Sequence, residues 1–313
     1  MKADITDILK DAQKAPSVLN SQPWRFRVCG NTIEIYLDKK KELLSVDPYG
    51  RLQMASCGTL ITHLTHALRR KHWQYKLTYF PRFEETDLIA FVELGGKSDT
   101  SGQDHRYSTS STDAGFLDFE RANTGQEYLE QLEKDLLSIA SHTEIELLIQ
   151  DEDQNRTFET YFLSNCAKRL ENDHFKNSLN LFFRSVNTDQ ETTFEDEVLL
   201  SDRFFELSHE TFSRAGFPET LKDRYYILHS KTDNRYNWLR SGEVIGDIMI
   251  HIRNSSQIGM IALPIISSDC CRKWLKKELA LPGHPQFVLK LAPFGATEHT
   301  QKQPLSNLLK YGL

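Results

Sequence analysis

The stretch APSVLNSQPWRF, residues 15–26, is the least generic run in the chain, and the fold around it is predicted outward from there. Two prolines bracket small polar residues, and an aromatic and basic run follows directly. Because Pro16 restricts the backbone of the residue before it, a helix over residues 4–14 should end there. Alternating apolar and polar residues on both sides of GNT (30–32) predict a β-hairpin that begins at Trp24. The stretch is therefore predicted to be a loop between a helix and a hairpin.

Composition limits the classes of function. With 313 residues, 39% of them hydrophobic and 11% aromatic, the chain can fill a large core. Its net charge of −6 argues against a nucleic-acid partner, because such binding needs a concentrated basic face. The local lysine run Lys39–Lys41 is interpreted as solvated surface. These features favour a folded globular protein without a nucleic-acid partner.

The sequence also bears on location. The first residues, MKADITDILKDAQK, mix charged and apolar residues without an apolar core segment, so neither a signal peptide nor an anchor is expected. The longest apolar run, GMIALPII (259–266), contains a proline and is too short to span a bilayer. The five cysteines form no CxxC pair; they are Cys29, Cys57, Cys166, Cys270 and Cys271. We therefore expect a cytoplasmic protein without a membrane partner.

Helix-like and strand-like segments occur in mixed order along the chain, which predicts an α+β fold. The run GGKSDTSGQD, rich in Gly, Ser and Asp, lacks apolar residues and divides the chain. We predict a first half at 1–95, a linker at 96–104 and a second half at 105–313. Residues 171–203 have no clean hydrophobic period and are predicted to be a lid or insertion.

Two long helical segments have similar sequences. Aligning SCGTLITHLTHALRR (56–70) with RSGEVIGDIMIHIRN (240–254) places Gly58 opposite Gly242 and matches four apolar positions. A tandem duplication explains the match, and it predicts that the two helices pack on each other about a pseudo-twofold axis. The alternative is that any two amphipathic helices share apolar spacing. The shared glycine favours duplication.

From Pro16 to Phe26 the sequence closely resembles the flavin loop of the nitroreductase family, where a Pro-Ser segment followed by Asn-x-Gln-Pro-Trp lines the ring of FMN. SSQIGMIALPIISSD (255–269) resembles the later family stretch whose backbone faces flavin N5. The chain length, the repeat and the DPYGR text at Asp47–Arg51 resemble the double-length, Acg-like branch, in which one chain mimics the usual homodimer. The resemblance implies a nitroreductase-like α+β fold of two tandem related halves, each a sheet flanked by helices.

The same resemblance implies FMN as cofactor and NAD(P)H as electron donor, with a nitroaromatic, quinone or similar acceptor. The chemistry is then expected on the flavin, so no catalytic side chain is assigned. The implied ring contacts come from Pro16, Ser17, Asn20 and Gln22, with backbone groups of Ile266 and Ser267 at N5. The implied phosphate contacts come from His105, Arg106 and Lys302, and Arg51 is a candidate cation beside the reduced ring. Trp24 is expected to pack inward rather than stack on the flavin.

Several alternatives stay open at this stage. The family's arginine-rich phosphate segment is reduced here to His105 and Arg106, so a degenerate relative that binds or stores flavin or another small aromatic ligand is the second functional hypothesis. A metal at His63 and the nearby His66 is less favoured than simple packing, because no third ligand is placed. Inert cysteines are favoured over redox-active ones. The chain is expected to be a pseudo-dimeric monomer or a homodimer.

Overall fold

A computed structural model describes the chain at residues 2–42, 44, 47–97, 126–150, 225–254, 258–263, 269–293 and 302–311. Four predicted site residues lie outside these ranges: His105, Arg106, Ile266 and Ser267. The predicted lid or insertion at 171–203 lies outside them as well.

The described residues contain six α-helices, which are separated by strands and turns. The helices are α1 (Lys2–Ala12), α2 (Arg51–Arg70), α3 (Gln126–Ser141), α4 (Arg235–Asn254), α5 (Asp269–Glu278) and the single turn α6 (Leu305–Leu308). Two 3-10 turns, Val18–Asn20 and Lys39–Lys41, lie between α1 and α2. None of these helices is long and apolar enough to cross a membrane, among the residues that the structure describes.

The strands of the described residues form two sheets. They are β1 (Trp24–Cys29), β2 (Thr32–Leu37), β3 (Trp73–Tyr79), β4 (Leu88–Lys97), β5 (Ile145–Ile149), β6 (Tyr225–Ser230), β7 (Ile258–Leu263), β8 (His284–Pro293) and β9 (Leu309–Tyr311). The first sheet has the order β3-β4-β2-β1-β9, and the second has the order β5-β6-β8-β7. Every pair is antiparallel except β1 with β9, which is parallel. The α+β fold class is confirmed.

The predicted hairpin is present, with Trp24 opposite Leu37 and Cys29 opposite Thr32. Along β1, buried side chains alternate with partly exposed ones, because one face of the strand lies on the core. Trp24 is fully buried in the apolar cluster under the first sheet, which confirms that it packs inward.

The two long helices cross with their backbones in direct contact. A Cβ atom at Gly58 would lie 2.1 Å from the Leu239 carbonyl oxygen, and one at Gly242 would lie 1.9 Å from that of Ala55. Only glycine fits at either position, because both distances are far below any van der Waals contact. Gly58 and Gly242, which the alignment of the two helices places opposite each other, therefore allow α2 and α4 to approach closely.

The chain departs from the sequence predictions at several element ends. Strand β4 runs through Lys97, so Gly96 and Lys97 of the predicted linker extend the strand; pairing of Trp73 with Lys97 stabilises this extension. Helix α1 ends at Ala12, before the predicted end at residue 14. Strand β9 was not predicted, because three residues carry no alternation pattern; its register places Leu309 beside Phe26.

Candidate functional site

The loop that follows α1 is fastened to the first turns of α2. The Val18 N–H donates to Ser56 Oγ at 2.9 Å, and Thr59 Oγ1 donates to the Pro16 carbonyl oxygen at 2.6 Å. Val18 belongs to the apolar cluster under the second sheet, whereas Ala15 belongs to the cluster under the first. The loop therefore lies where the two cores meet.

Two residues of the loop have left-handed backbone. Asn20 has φ of 50° and Gln22 has φ of 47°, a region that costs a residue with a side chain about 1 kcal/mol or more. Nearby bonds stabilise this shape. The Gln22 N–H donates to Ser17 Oγ at 2.9 Å, and its carbonyl oxygen accepts from the Trp24 N–H at 2.8 Å.

The segment just before α6 lies against the same loop. Lys302 Nζ donates to Asn20 Oδ1 at 2.9 Å and to the Ala15 carbonyl oxygen at 3.3 Å. The Gln303 N–H donates to Gln22 Oε1 at 3.1 Å. The structure thus brings together Ser17, Asn20, Gln22 and Lys302, four of the residues predicted from the sequence, and Pro16 lies in the same loop.

The interpretation of the lysine run Lys39–Lys41 as solvated surface is wrong for Lys41, whose side chain bonds to the loop. Lys39 and Lys40 are exposed, but Lys41 Nζ donates to the Ser21 carbonyl oxygen at 2.9 Å and to that of Gln22 at 3.3 Å. Burial lowers the pKa of this ammonium group, against the opposing charge of Asp38. No sequence signal distinguishes Lys41 from its neighbours, because the contact depends on how the loop folds back.

Arg51 lies in an ion-pair network that the sequence did not indicate. Its Nη1 donates to Asp269 Oδ1 at 2.8 Å, and its Nη2 lies 3.6 Å from Asp233 Oδ2. The guanidinium carbon also lies 4.4 Å from the centre of the Tyr49 ring, a cation–π distance. Arg51 therefore joins the start of α2 to two carboxylates of the second half, and its contact with a flavin stays a prediction.

A second arginine completes this ion-pair network. Arg272 donates from Nη1 and Nη2 to the two carboxylate oxygens of Asp233, both at 2.8 Å, and from Nε to the Pro285 carbonyl oxygen at 2.9 Å. Burial opposes ionisation of Asp233, but hydrogen bonds from Arg272 and from Trp238 Nε1 outweigh it and lower its pKa. Sequence reasoning missed this network, since its members are far apart in the chain and fit no motif.

Asp47 fastens the start of α2. Its carboxylate accepts from the backbone N–H groups of Arg51, Leu52 and Gln53 at 2.9, 2.8 and 2.9 Å. Burial raises the pKa of the carboxyl to about 6, and the three N–H donors oppose that rise. The carboxylate is therefore still the main form at neutral pH.

Replacing Asp47 with alanine is expected to lower the free energy of unfolding by about 1–2 kcal/mol, because three N–H groups at the start of α2 lose their acceptor. Urea unfolding followed by far-UV circular dichroism measures the change. Asp7→Ala is the control, since its side chain is 59% exposed and pairs weakly with Lys10. An Asp47→Ala midpoint equal to that of the control would contradict the capping role.

The alternative sites are less developed in this structure. Within the described ranges, no group of three or more His, Cys, Asp or Glu side chains comes together as a metal site would require. His63 Nδ1 lies 3.0 Å from the Thr59 carbonyl oxygen of its own helix. Cys271 is buried and Cys270 is exposed, and neither forms a disulfide with another cysteine that the structure describes.

Comparison with known proteins gives similarities of two kinds. No family model matches the chain. Over 77 residues the chain is 40% identical to "Putative NAD(P)H nitroreductase Rv3131" of Mycobacterium tuberculosis, a match that covers 25% of this chain and 22% of that protein. Over 93 residues it is 30% identical to "Putative NAD(P)H nitroreductase acg" of the same organism, covering 28% of each.

A longer match joins nearly the whole chain to a protein without an assigned activity. The chain is 25% identical over 320 residues to "Uncharacterized protein Rv3127" of Mycobacterium tuberculosis, covering 96% of this chain and 90% of the relative. The matches to the two named nitroreductases span less than a third of their length. The similarities are thus to proteins named as nitroreductases over parts of the chain, and to an uncharacterized protein over nearly all of it.

Proposed function

We propose that the chain is an FMN-dependent oxidoreductase that passes electrons from NAD(P)H to a nitroaromatic, quinone or similar acceptor. The observation that carries the proposal is the loop of residues 15–22, which holds Asn20 and Gln22 in left-handed backbone at the junction of the two cores. The two partial relatives named as NAD(P)H nitroreductases support the same class of activity.

The chemistry of the loop fits a flavin ring. A flavin edge alternates hydrogen-bond donors and acceptors, so its site needs amide and backbone groups held in place. Asn20 and Gln22 provide the amides, and the Ser21 hydroxyl is fully buried with no hydrogen-bond partner among the described residues. A bound ligand that contacts Ser21 Oγ would relieve the cost of this unpaired group.

In this proposal the residues of the chain bind and orient rather than react. Pro16, Ser17, Asn20 and Gln22 would hold the ring, and bound FMN would supply hydride acceptance and electron transfer. Lys302 places a positive charge at the loop, which favours an anionic form of the ligand. Backbone groups of Ile266 and Ser267 at N5, and His105 with Arg106 at the phosphate, complete the proposed set.

We also propose that the two sheets arose by tandem duplication and form an internal pseudo-dimer. The order β3-β4-β2-β1 in the first sheet matches β7-β8-β6-β5 in the second when each strand is replaced by the one four places later. Helix α2 precedes β3 as α4 precedes β7, and the reciprocal approach at Gly58 and Gly242 fits a twofold axis between them. Under this proposal the boundary between the halves lies in the predicted linker after β4, which ends at Lys97.

One observation favours the second candidate, a relative without reductase activity that binds or stores a small aromatic ligand. The Asn20 side chain accepts from Lys302, and the Gln22 side chain accepts from the Gln303 N–H, so both amides already have partners inside the protein. A flavin would have to share or replace these bonds. Both candidates predict a ligand at the same loop, and they differ in turnover.

The first experiment is the visible absorption spectrum of the purified protein after incubation with FMN and desalting. A retained flavin band that NADH or NADPH bleaches, followed by reoxidation on adding a quinone, is the result expected for the reductase. A retained band that neither nucleotide bleaches supports the binding protein. Absence of a retained band contradicts the reductase, and it restricts the second candidate to a small aromatic ligand other than FMN.

Removing the Asn20 amide is expected to weaken FMN binding by about 1–3 kcal/mol, or roughly 5- to 150-fold in Kd, because a buried ring-edge group loses its partner. Fluorescence titration with FMN measures the change. Asn20→Ala also adds left-handed strain, so Asn20→Gly isolates the loss of the amide. Asn307→Ala is the matched control on an exposed position, and an unchanged Kd in Asn20→Gly would remove Asn20 from the site.

A further inference from the structure

We propose that Lys41 is a positioning residue of the loop at residues 15–22, here called the ligand loop. Its ammonium group fixes the left-handed backbone at Asn20 and Gln22. The inference rests on the proposed function for its ligand, FMN, but the structural part concerns the loop alone. Lys41 is the last residue of the 3-10 turn Lys39–Lys41, which follows β2, and its side chain extends from this turn to the loop.

The contacts of Lys41 fall on carbonyl oxygens at the end of the loop. Nζ donates to the Ser21 and Gln22 carbonyl oxygens at 2.9 and 3.3 Å. One donor group that binds two successive carbonyl oxygens restrains the peptide between them, because rotation of that peptide would lengthen one bond. A charged donor makes these bonds about twice as strong as neutral ones. Lys41 therefore holds the peptide unit that links Ser21 to Gln22.

Lys41 is itself held against α2. Gln53 Nε2, on the first turn of that helix, donates to the Lys41 carbonyl oxygen at 2.5 Å. Gln53 is buried, and its backbone N–H is held in turn by Asp47. The restraint on the loop thus runs from the start of α2 through Gln53 to the lysine side chain.

The backbone conformation that Lys41 stabilises is unfavourable, so the loop needs a restraint to keep it. Left-handed backbone at Asn20 and Gln22 is unfavourable for residues with side chains, and two such residues stand on either side of Ser21. The loop also carries the Ser21 hydroxyl, which is buried without a partner among the described residues. A binding loop preorganised in this way gains affinity, because less ordering is needed when the ligand arrives.

The test compares Lys41→Met with Lys40→Met, which changes an exposed neighbour of the same type. Methionine keeps an apolar stem of similar length but removes the donors and the charge. Hydrogen exchange of the ligand-free protein, followed by mass spectrometry on peptides that cover residues 17–24, reports on the Asn20, Ser21 and Gln22 amides. These amides are bonded to Ser17 and Val18 groups in the structure.

We expect the loop amides to exchange at least tenfold faster in Lys41→Met, while amides of the middle of α2 keep the wild-type rate. Lys40→Met should match the wild type throughout, and Lys41→Arg, which keeps a cationic donor, should recover most of the protection. In the same series the Kd for FMN should rise roughly 10- to 100-fold in Lys41→Met only.

Wild-type exchange in the loop of Lys41→Met, or equal acceleration in Lys40→Met, would overturn the proposal. Faster exchange in the loop together with an unchanged Kd for FMN would also overturn it, because Lys41 would then be structural without positioning the ligand. If the wild type itself binds no FMN, the proposed function fails, and the exchange data alone then decide whether Lys41 holds the loop.

Discussion

Gly242→Ala is expected to lower the free energy of unfolding by about 3 kcal/mol, at the upper end of what overpacking usually costs. The added methyl group would lie 1.9 Å from the Ala55 carbonyl oxygen and 2.7 Å from its Cα atom. These are backbone atoms of α2, which cannot move aside by a change of rotamer. The two long helices would have to separate, and the contacts along their crossing would weaken together.

Urea unfolding at neutral pH measures the effect, with Gly96→Ala as control. Gly96 lies in β4, where an added Cβ would meet nothing within 4 Å, so the control should unfold close to the wild type. Gly246→Ala offers a milder change, since its new methyl group would lie 2.9 Å from Thr62 Cβ, part of a side chain rather than the backbone. A Gly242→Ala protein as stable as the Gly96→Ala control would contradict the direct contact of the helices. If Gly242→Ala does not fold, Gly246→Ala should still show a smaller loss.

Asp233→Ala is expected to lower the free energy of unfolding by about 3 kcal/mol at pH 7, because the buried guanidinium of Arg272 loses both of its carboxylate acceptors. Arg51 loses a nearby carboxylate in the same variant, although it keeps Asp269. The surface variant Asp7→Ala should change the stability by less than about 1 kcal/mol. Urea midpoints of the three proteins at one pH give the comparison.

The pH dependence of the same comparison gives an independent check. The pKa of Asp233 is lower in the folded protein than its ordinary value, with burial opposed by the stronger effect of the Arg272 and Trp238 hydrogen bonds. Its contribution is therefore fully present above about pH 4, the pKa of an unfolded aspartate, and is lost as the pH falls below that value. The difference between wild type and Asp233→Ala should be constant from pH 5 to 7 and should shrink toward pH 2–3. A difference that grows on acidification would show that Asp233 is not held as a carboxylate.

Local patterns predicted the first part of the fold well. The proline at residue 16, the GNT turn and the alternation in β1 and β2 act over a few residues, and the structure places each element near its predicted position. Gly58 and Gly242 were found by aligning two helices, because a glycine at a shared offset reports a close approach that apolar spacing cannot. Strand β9 could not be found this way, since its pairing with β1 is decided by packing of residues far away in the chain.

The residues of the candidate site also differ in whether local sequence could predict them. Ser17, Asn20 and Gln22 belong to one continuous loop, so a sequence motif could identify them together, and the family resemblance implied Lys302 as a phosphate contact. Lys41 and the partners of Arg51 were not found. Their roles depend on three-dimensional contacts with Ser21, Asp233 and Asp269, and single charged residues of this kind carry no periodic signal.

Because the ribosome makes the chain from its N-terminus, the contacts of the candidate site can form only in a certain order. Asn20 emerges early, but its partner Lys302 follows 282 residues later, and the Gln303 contact to Gln22 comes later still. Strand β9, which completes the edge of the first sheet, is made after both. Strands β1 to β4 of the first sheet can therefore pair during synthesis, whereas the bonds from Lys302 and Gln303 to the loop form only after nearly all of the described chain has been translated. Under the proposed function, FMN binding would therefore follow translation of residue 302, and a nascent chain arrested before that residue should not retain FMN.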